Sequence, residues 1–139
     1  MGWRDWFRRT LPLPIDDPDL GILHWRVVDG GWTGMKNGLR FTIGDEDDAQ
    51  PSESLRTWAL EILANPELLK RSLRDAIDQA PAHLRRFEAE MRQLEYSHLY
   101  FSESAKGKYL FASLTPEPEF RCWRLEFEGE RCLGIGFDT

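Results

Sequence analysis

The sequence predicts an α+β protein: an N-terminal three-stranded antiparallel meander, three central helices and a C-terminal four-stranded antiparallel segment, packed as two layers. Three observations carry this prediction. The dipeptides Asp29-Gly30 and Asn37-Gly38 are hairpin-turn signals set between alternating apolar residues. Residues 51–94 show the apolar spacing of amphipathic helices, whereas the last third of the chain returns to the alternation of strands.

The size and composition of the chain indicate one soluble domain spanning residues 1–139. It carries a net charge of −6, which argues against binding to the phosphate backbone of nucleic acids. No apolar run approaches the ~20 residues that cross a bilayer. Two cysteines are too few for a disulfide framework and favour a reducing compartment. We therefore expect a cytoplasmic protein that binds no nucleic acid.

The first fourteen residues, MGWRDWFRRTLPLP, form a basic aromatic segment. Trp3, Trp6 and Phe7 share one face of a short helix, and arginines surround the other face. We expect this segment, residues 1–14, to dock on the domain, because a lone helix of about three turns is marginally stable in water. Contact with a membrane surface through the three aromatic residues is the alternative.

The two turns predict a consistent register for the meander. The first turn, taken as a two-residue loop, pairs Val27 with Trp32, and the second pairs Trp32 with Ile43. Because side chains alternate along a strand, one face collects the apolar residues. They are Leu23, Trp25, Val27, Trp32, Phe41 and Ile43. Both tryptophans of the HWRVVDGGWTG stretch are thus predicted to belong to the core instead of an exposed aromatic platform.

The opposite, outer face of the meander carries a small cationic patch with hydroxyl groups. Buried, unpaired arginines cost several kcal/mol, so these arginines must face water, a carboxylate of this chain or a partner. We take the patch as the candidate partner-binding site, for an acidic partner or an anionic ligand. An ordinary solvated sheet face is one alternative, and pairing with the acidic loop at 44–48 is another. The residues of the patch are His24, Arg26, Thr33, Arg40 and Thr42.

The stretch GDEDDAQPSE forms an acidic loop in front of the first helix. Its carboxylates at positions 45–48 lack the ligand spacing of a calcium-binding loop. We therefore expect a solvated loop that holds no metal ion.

Three amphipathic helices are predicted in the middle of the chain. Pro51 suits the first turn of the first helix, Asn65-Pro66 ends that helix and starts the second, and Pro81 breaks the chain again before the third. The apolar positions then recur at helical spacing. They are Leu55, Trp58, Ala59, Ile62 and Leu63 in the first helix, Leu69, Leu73, Ala76 and Ile77 in the second, and Leu84, Phe87, Met91 and Leu94 in the third.

Four strands are predicted near residues 98–102, 108–115, 121–128 and 131–137. The second of them is apolar on both faces, so we expect it to be central and covered on both sides. If a three-residue loop joins the last two strands, their alternating apolar side chains lie on the same face of the sheet. That register places Trp123, Leu125 and Phe127 against Leu133, Ile135 and Phe137.

The closing stretch LGIGFD contains Gly134 and Gly136 but no following helix, so it is not a phosphate-binding glycine loop. We expect a helix or side chain to pack on these glycines; a shallow groove is the alternative. Cys122 and Cys132 share the glycine face at a predicted separation of roughly 20 Å, from ~3.4 Å per residue. This distance is too great for a disulfide, so we expect two free thiols.

No catalytic motif stands out in the sequence. His24, His83 and His98 are scattered, and neither the H-E-x-x-H motif nor the G-x-S-x-G motif occurs. No serine, cysteine or lysine is marked as a nucleophile. We expect no catalytic residue, no cofactor and no metal site.

The hairpin motif W-x-G, the central helices and the closing pattern C-W-R-L-E-F-x-G-x-x-C-L-G-I-G-F-D extend over roughly residues 20–139. In layout they resemble several small bacterial α+β families of unknown function, some of them similar to immunity proteins, which bind and neutralise a partner toxin. The resemblance implies a non-enzymatic protein that binds a macromolecular partner, another protein. The alternative is an enzyme or small-ligand-binding protein whose site is assembled from scattered residues.

Overall fold

Eight strands form one mixed sheet and follow one another across it in the order of the sequence. The computed structural model describes residues 12–44 and 50–138. All neighbouring strands pair antiparallel except the fourth and fifth, which are parallel. The strands are β1 (Ile15–Asp17), β2 (Gly21–Arg26), β3 (Gly31–Lys36), β4 (Leu39–Gly44), β5 (Glu95–Ser104), β6 (Gly107–Thr115), β7 (Cys122–Glu128) and β8 (Arg131–Asp138).

The helices lie between β4 and β5 in the chain. Ser52 and Asn65 cap the two long helices, each accepting a hydrogen bond from the backbone N–H three residues later. The predicted third helix is a 3-10 turn followed by a short α-helix. The elements are α1 (Glu53–Leu63), α2 (Pro66–Asp78), the 3-10 helix Ala82–Phe87 and α3 (Glu88–Met91), and a second 3-10 helix, Pro118–Phe120, links β6 to β7.

The predicted fold class is wrong in how it arranges the strands. The N-terminal meander and the C-terminal four-stranded segment are not separate, because β4 and β5 pair in parallel and join them into one sheet. The additional strand β1 extends that sheet beyond β2. Parallel neighbours need a long crossover, which the helical segment between β4 and β5 supplies. Joining the two segments also removes two open sheet edges, whose unpaired backbone groups would otherwise face solvent.

The second hairpin turn of the meander is confirmed, and the first is longer than predicted. Asn37-Gly38 forms a two-residue turn that pairs Trp32 with Ile43. The first turn spans the four residues 27–30, so β2 is displaced by two positions along β3 relative to the prediction. A two-residue displacement keeps every strand side chain on its predicted face, because the pleat has a period of two.

The longer turn changes which of the residues beside it are buried. Trp25 lies directly opposite Trp32, and their ring centroids are 5.7 Å apart in an edge-to-face arrangement. Trp32 is 2% exposed, whereas Trp25 is partly buried at the margin of the core. Val27 was predicted to join them but lies in the turn and is 73% exposed. The opening pair of tryptophans is therefore a core feature rather than a ligand platform.

The sheet has one covered and one largely uncovered face. Leu110, Ala112 and Leu114 of β6 are buried in the same core as the helical residues Trp58 and Leu73. Phe111, which points to the other face of the same strand, is exposed. The prediction that this strand is covered on both sides is wrong, since the described helices pack on the inner face.

The C-terminal hairpin follows the predicted pairing only in part. Trp123 lies opposite Phe137 as expected, but a β-bulge precedes Phe127 and places it opposite Cys132 in place of Leu133. The bulge compensates for the loop between β7 and β8, which has two residues where three were predicted. Cys132 consequently packs against the core, and Leu133 is exposed.

Three of the predictions concern residues outside those described. These are the docking of the N-terminal segment through Trp3, Trp6 and Phe7, the metal-free acidic loop at positions 45–48, and the pairing of that loop with the arginines of the meander. Within residues 12–44 and 50–138, no helix has both the length and the apolar character needed to cross a bilayer.

Candidate functional site

The structure brings the five residues of the predicted patch together on the outer face of β2, β3 and β4. His24 lies opposite Thr33, and Thr33 lies opposite Thr42. Arg26 and Arg40 are each two residues away from a member of this row on the same strand, so their side chains share its face. We refer to these residues as the outer-face patch.

The outer-face patch combines exposed cationic groups with buried hydroxyl groups. His24, Arg26 and Arg40 are exposed, as the sequence predicted. Thr33 and Thr42 are only 6% and 1% exposed, although they point away from the main core. Their burial shows that neighbouring side chains close over the centre of the patch.

Only one of the two arginines has a carboxylate partner among the described residues. Arg26 Nε lies 3.2 Å from Asp29 Oδ2, in the turn that follows β2. The same Asp29 oxygen accepts a hydrogen bond from Thr33 Oγ1 at 3.5 Å. Arg40 forms no ion pair with residues 12–44 or 50–138. The Asp29 side chain is largely buried, but Arg26 is exposed to solvent, so the face keeps cationic character.

A chain of short hydrogen bonds runs beneath these cations. Thr33 Oγ1 lies 2.8 Å from Thr42 Oγ1, which lies 2.6 Å from His98 Nε2. His98 comes from β5, which the parallel pairing places beside β4. Its ring stacks on Tyr100, with centroids 4.0 Å apart and planes 11° from parallel. Asp29, His98 and Tyr100 thus complete the site.

Sequence reasoning missed these three residues for identifiable reasons. Asp29 was interpreted as a turn residue only, because the first loop was taken to be two residues long. His98 and Tyr100 fall in the predicted strand 98–102 at a spacing of two, which predicts that their side chains lie on the same face of the strand. Their position beside Thr42 depends on the parallel pairing of β4 and β5, for which the sequence has no local signal.

The environment of His98 keeps its imidazole neutral near pH 7. Burial lowers the pKa of His98 below its ordinary value, and the nearby Arg40 and Arg26 lower it further, against an opposing effect of Asp29. A neutral ring has one donor and one acceptor nitrogen, which suits the bond to Thr42. Burial also raises the pKa of Tyr100.

The arrangement of Thr42 and His98 does not support nucleophilic catalysis. A hydroxyl group beside a neutral imidazole is the pairing that activates nucleophiles. Thr42 is only 1% exposed, however, so a substrate carbon has no access to its oxygen. Asp29 bonds to Thr33 and not to the imidazole, so among the described carboxylates it does not orient the ring as an acid partner would. The chain is better understood as a rigid polar support for the outer-face patch.

Exposed apolar side chains adjoin the outer-face patch. Met35 lies opposite Arg40 and is 57% exposed. Ile22 precedes His24 by two residues on β2 and is 60% exposed. Apolar side chains bordered by cationic groups are typical of surfaces that bind other proteins.

Apart from the outer-face patch, a cleft lies at the far end of the sheet, between α2 and β8. This cleft has a volume of about 530 Å³. An added Cβ at Gly134 would meet nothing within 4 Å, and one at Gly136 would meet only Arg124 Nη2 at 3.9 Å. The expectation that a helix or side chain packs on these glycines fails at Gly134 and is met at Gly136 only by the Arg124 side chain, and the open space beside them agrees with the groove alternative. The cleft is lined by Ser72, Asp75, Ala76, Gln79, Ala80, Pro81, Arg124, Glu126, Cys132, Leu133, Gly134, Ile135 and Gly136.

The carboxylates whose pKa values are lowered lie outside this cleft. Hydrogen bonds from Arg56 hold the pKa of Asp17 well below its ordinary value, with Arg56 Nε 2.6 Å from Asp17 Oδ2. Arg121 is the main cause of the lowered pKa of Glu90, which also accepts a bond from Trp123 Nε1. Both carboxylates join elements of the fold, so they are structural rather than catalytic. In the described part of the chain, no three metal-ligating side chains converge to hold an ion.

Comparisons of the chain with known proteins were negative. No family model, no curated protein and no solved structure matches it. The resemblance to immunity-type families consequently stays an expectation drawn from the residue pattern.

Proposed function

We propose that this protein is a non-enzymatic binding protein that holds an acidic partner protein against the outer face of its sheet. The observation that carries the proposal is the outer-face patch, where exposed His24, Arg26 and Arg40 adjoin exposed Met35 and Ile22. An activity like that of immunity proteins, which neutralise a partner by covering it, is compatible with such a surface.

Charge complementarity supports the choice of an acidic partner. The chain as a whole carries a net charge of −6, so most of its surface repels an acidic protein. Arg40 has no ion-pair partner in the described ranges, and Arg26 forms an ion pair with only one carboxylate, Asp29. An approaching acidic surface is therefore steered toward this face, with a faster association at low salt.

The hydrogen-bonded chain beneath the patch supports binding in another way. Thr33, Thr42 and His98 hold three neighbouring strands in a fixed arrangement. A surface that is already ordered loses less conformational entropy when a partner binds. The patch therefore presents its cations from a rigid base.

The alternative class, an enzyme or small-ligand-binding protein, is favoured by one observation. The cleft between α2 and β8 has a volume of about 530 Å³, within the ~300–1,000 Å³ of small-ligand pockets. Its lining contains none of the carboxylates with lowered pKa values. We therefore prefer the binding function and treat catalysis as the second candidate.

Charge reversal tests the proposed function. The variant Arg26→Glu/Arg40→Glu is compared with Arg71→Glu/Arg74→Glu, in which two exposed arginines of α2 are reversed. Each purified protein captures partners from the native cells, which are identified by mass spectrometry, and the interaction is then titrated at low and high salt.

We expect the outer-face variant to lose capture of an acidic protein that the wild type and the α2 variant retain. Its free energy of unfolding should change by no more than about 1 kcal/mol, because Arg26, the cationic half of its only described ion pair, is exposed to solvent. Equal capture by all three proteins, or a captured protein that is basic, would contradict the proposal.

We place this function in the cytoplasm. Both cysteines are free thiols in the structure, Cys122 exposed and Cys132 partly buried. Free thiols suit a compartment kept reduced by the cell. Fractionation of native cells tests the location, and recovery in an extracytoplasmic fraction would contradict it.

A further inference from the structure

β8 ends the sheet and has an open side. It pairs with β7, and no other described strand pairs with it. The backbone donors and acceptors on the outer side of such an edge can pair with an added strand. The cleft runs between this edge and α2.

The glycines of β8 make its backbone accessible. Gly134 and Gly136 line the cleft, and the space above them is open. Gly134 has φ 134°, a conformation that favours glycine. Glycine within a strand often marks a place where another backbone comes close. The cleft thus combines an unpaired strand edge with room for a second chain.

The charges around the cleft are predominantly acidic. Arg124 is neutralised, since its Nε lies 3.1 Å from Glu126 Oε1 and its Nη1 lies 2.6 Å from Asp138 Oδ1. Asp75, on the opposite wall, forms no ion pair with a described residue. The charged residues that line the cleft are therefore one cation, Arg124, and two carboxylates, Asp75 and Glu126. This balance favours a cationic occupant.

We propose that an extended segment carrying lysine or arginine adds to the edge of β8 as a further strand and places a basic side chain in the cleft beside Asp75. Main-chain hydrogen bonds to β8 would supply affinity, and the cleft would supply the preference for a basic side chain. This inference does not depend on the proposed function, because the outer-face patch occupies β2–β4, several strands away.

A synthetic seven-residue peptide of alternating valine and lysine, with blocked ends, is the probe. Backbone amide signals of the full-length protein are followed by NMR during titration. We expect the amides of residues 131–138 to shift and to exchange more slowly with solvent, and those of β1 to stay unchanged. A matched peptide with glutamate in place of lysine should bind at least about tenfold more weakly, because it meets the carboxylates of Asp75 and Glu126.

Two variants test separately whether binding depends on the negative charge of Asp75 and on the open space at Gly136. Asp75→Asn should weaken binding of the lysine peptide by roughly three- to tenfold. Asp16→Asn, at an exposed position on the other edge of the sheet, should leave this binding unchanged. Gly136→Val narrows the cleft and should abolish binding. Its added Cβ meets only Arg124 Nη2 at 3.9 Å, so the backbone of β8 has room for a side chain at this position.

Three outcomes would overturn the inference. One is binding of neither peptide. Another is equal binding of the lysine and glutamate peptides. The third is a titration in which the diamine putrescine causes the same shifts as the peptide, which would indicate a small-cation site without strand addition.

Discussion

Thr42 Oγ1 lies 2.6 Å from His98 Nε2, across the parallel junction between β4 and β5. This bond links the N-terminal meander to the C-terminal strands at the place where the sheet has its only parallel pair among the described strands. Because Thr42 also bonds to Thr33, one buried imidazole completes a chain over three strands. The protonation state of His98 therefore bears on the integrity of the whole sheet.

The first prediction concerns this histidine and pH. The folded pKa of His98 is lowered from its ordinary value of 6.5. As pH falls below 6.5, the unfolded chain takes up a proton that the folded chain does not, so the free energy of unfolding decreases until the folded pKa is reached. Denaturation between pH 8 and pH 5 should show this decrease in the wild type.

His98→Gln removes the titrating group and should flatten that part of the stability profile. His24→Gln, at an exposed position, serves as the matched control and should leave the decrease in place. If the wild type and His98→Gln lose stability equally between pH 6.5 and pH 5, the assignment to His98 is wrong.

The second prediction compares the paired tryptophans of the first hairpin. Trp32→Ala should lower the free energy of unfolding by about 3–5 kcal/mol, because Trp32 is almost completely buried. Trp25→Ala should cost less, about 1–3 kcal/mol, since Trp25 lies at the margin of the core. Urea denaturation measures both values. Equal losses would show that the two rings are buried to the same extent in solution.

The third prediction concerns the carboxylate that joins β1 to α1. Asp17 accepts hydrogen bonds from the backbone N–H groups of Asp19 and Leu20 and from two nitrogens of Arg56. Asp17→Ala leaves the two backbone donors and Arg56 Nε without this acceptor, while Arg56 Nη2 keeps Asp19, and should cost about 1–3 kcal/mol. Asp16→Ala, at the exposed neighbouring position, should have little effect.

Acid denaturation adds a second readout for the same pair. The pKa of Asp17 is lowered in the folded state, so its stabilising effect is present above its ordinary pKa of 3.8 and is lost as pH falls below that value. The difference in stability between the wild type and Asp17→Ala should therefore shrink in acid. A difference that stays constant down to pH 2 would show that Asp17 does not act through its charge.

The fourth prediction concerns the two thiols. Cys122 is exposed, whereas Cys132 packs against the core and burial raises its pKa. A thiol-disulfide exchange reagent should modify Cys122 of the native protein rapidly and Cys132 slowly, because the thiolate is the reacting form. Unfolded protein purified without reductant should titrate two thiols. A titration of none in monomeric protein would indicate a disulfide.

The sequence by itself determined the features that depend on neighbours along the chain. Pro51, the pair Asn65-Pro66 and the apolar spacing after them predicted the two long helices, which begin at Glu53 and Pro66. Asn37-Gly38 set the register of the second hairpin, since only a few turn types match the twist of paired strands. The period of two predicted the faces of β2, β3 and β4, including all five residues of the outer-face patch, but it failed at Val27, which lies in the turn, and at Cys132 and Leu133 beside the bulge.

Only the tertiary structure decided which distant segments meet. The parallel pairing of β4 with β5, the place of His98 beside Thr42 and the cleft between α2 and β8 depend on contacts across the helical crossover. Backbone hydrogen bonds between strands are nearly the same for any pair, so local sequence does not choose the partner. The choice is made by burying one continuous apolar face under the helices and leaving few strand edges open, which is a property of the whole chain.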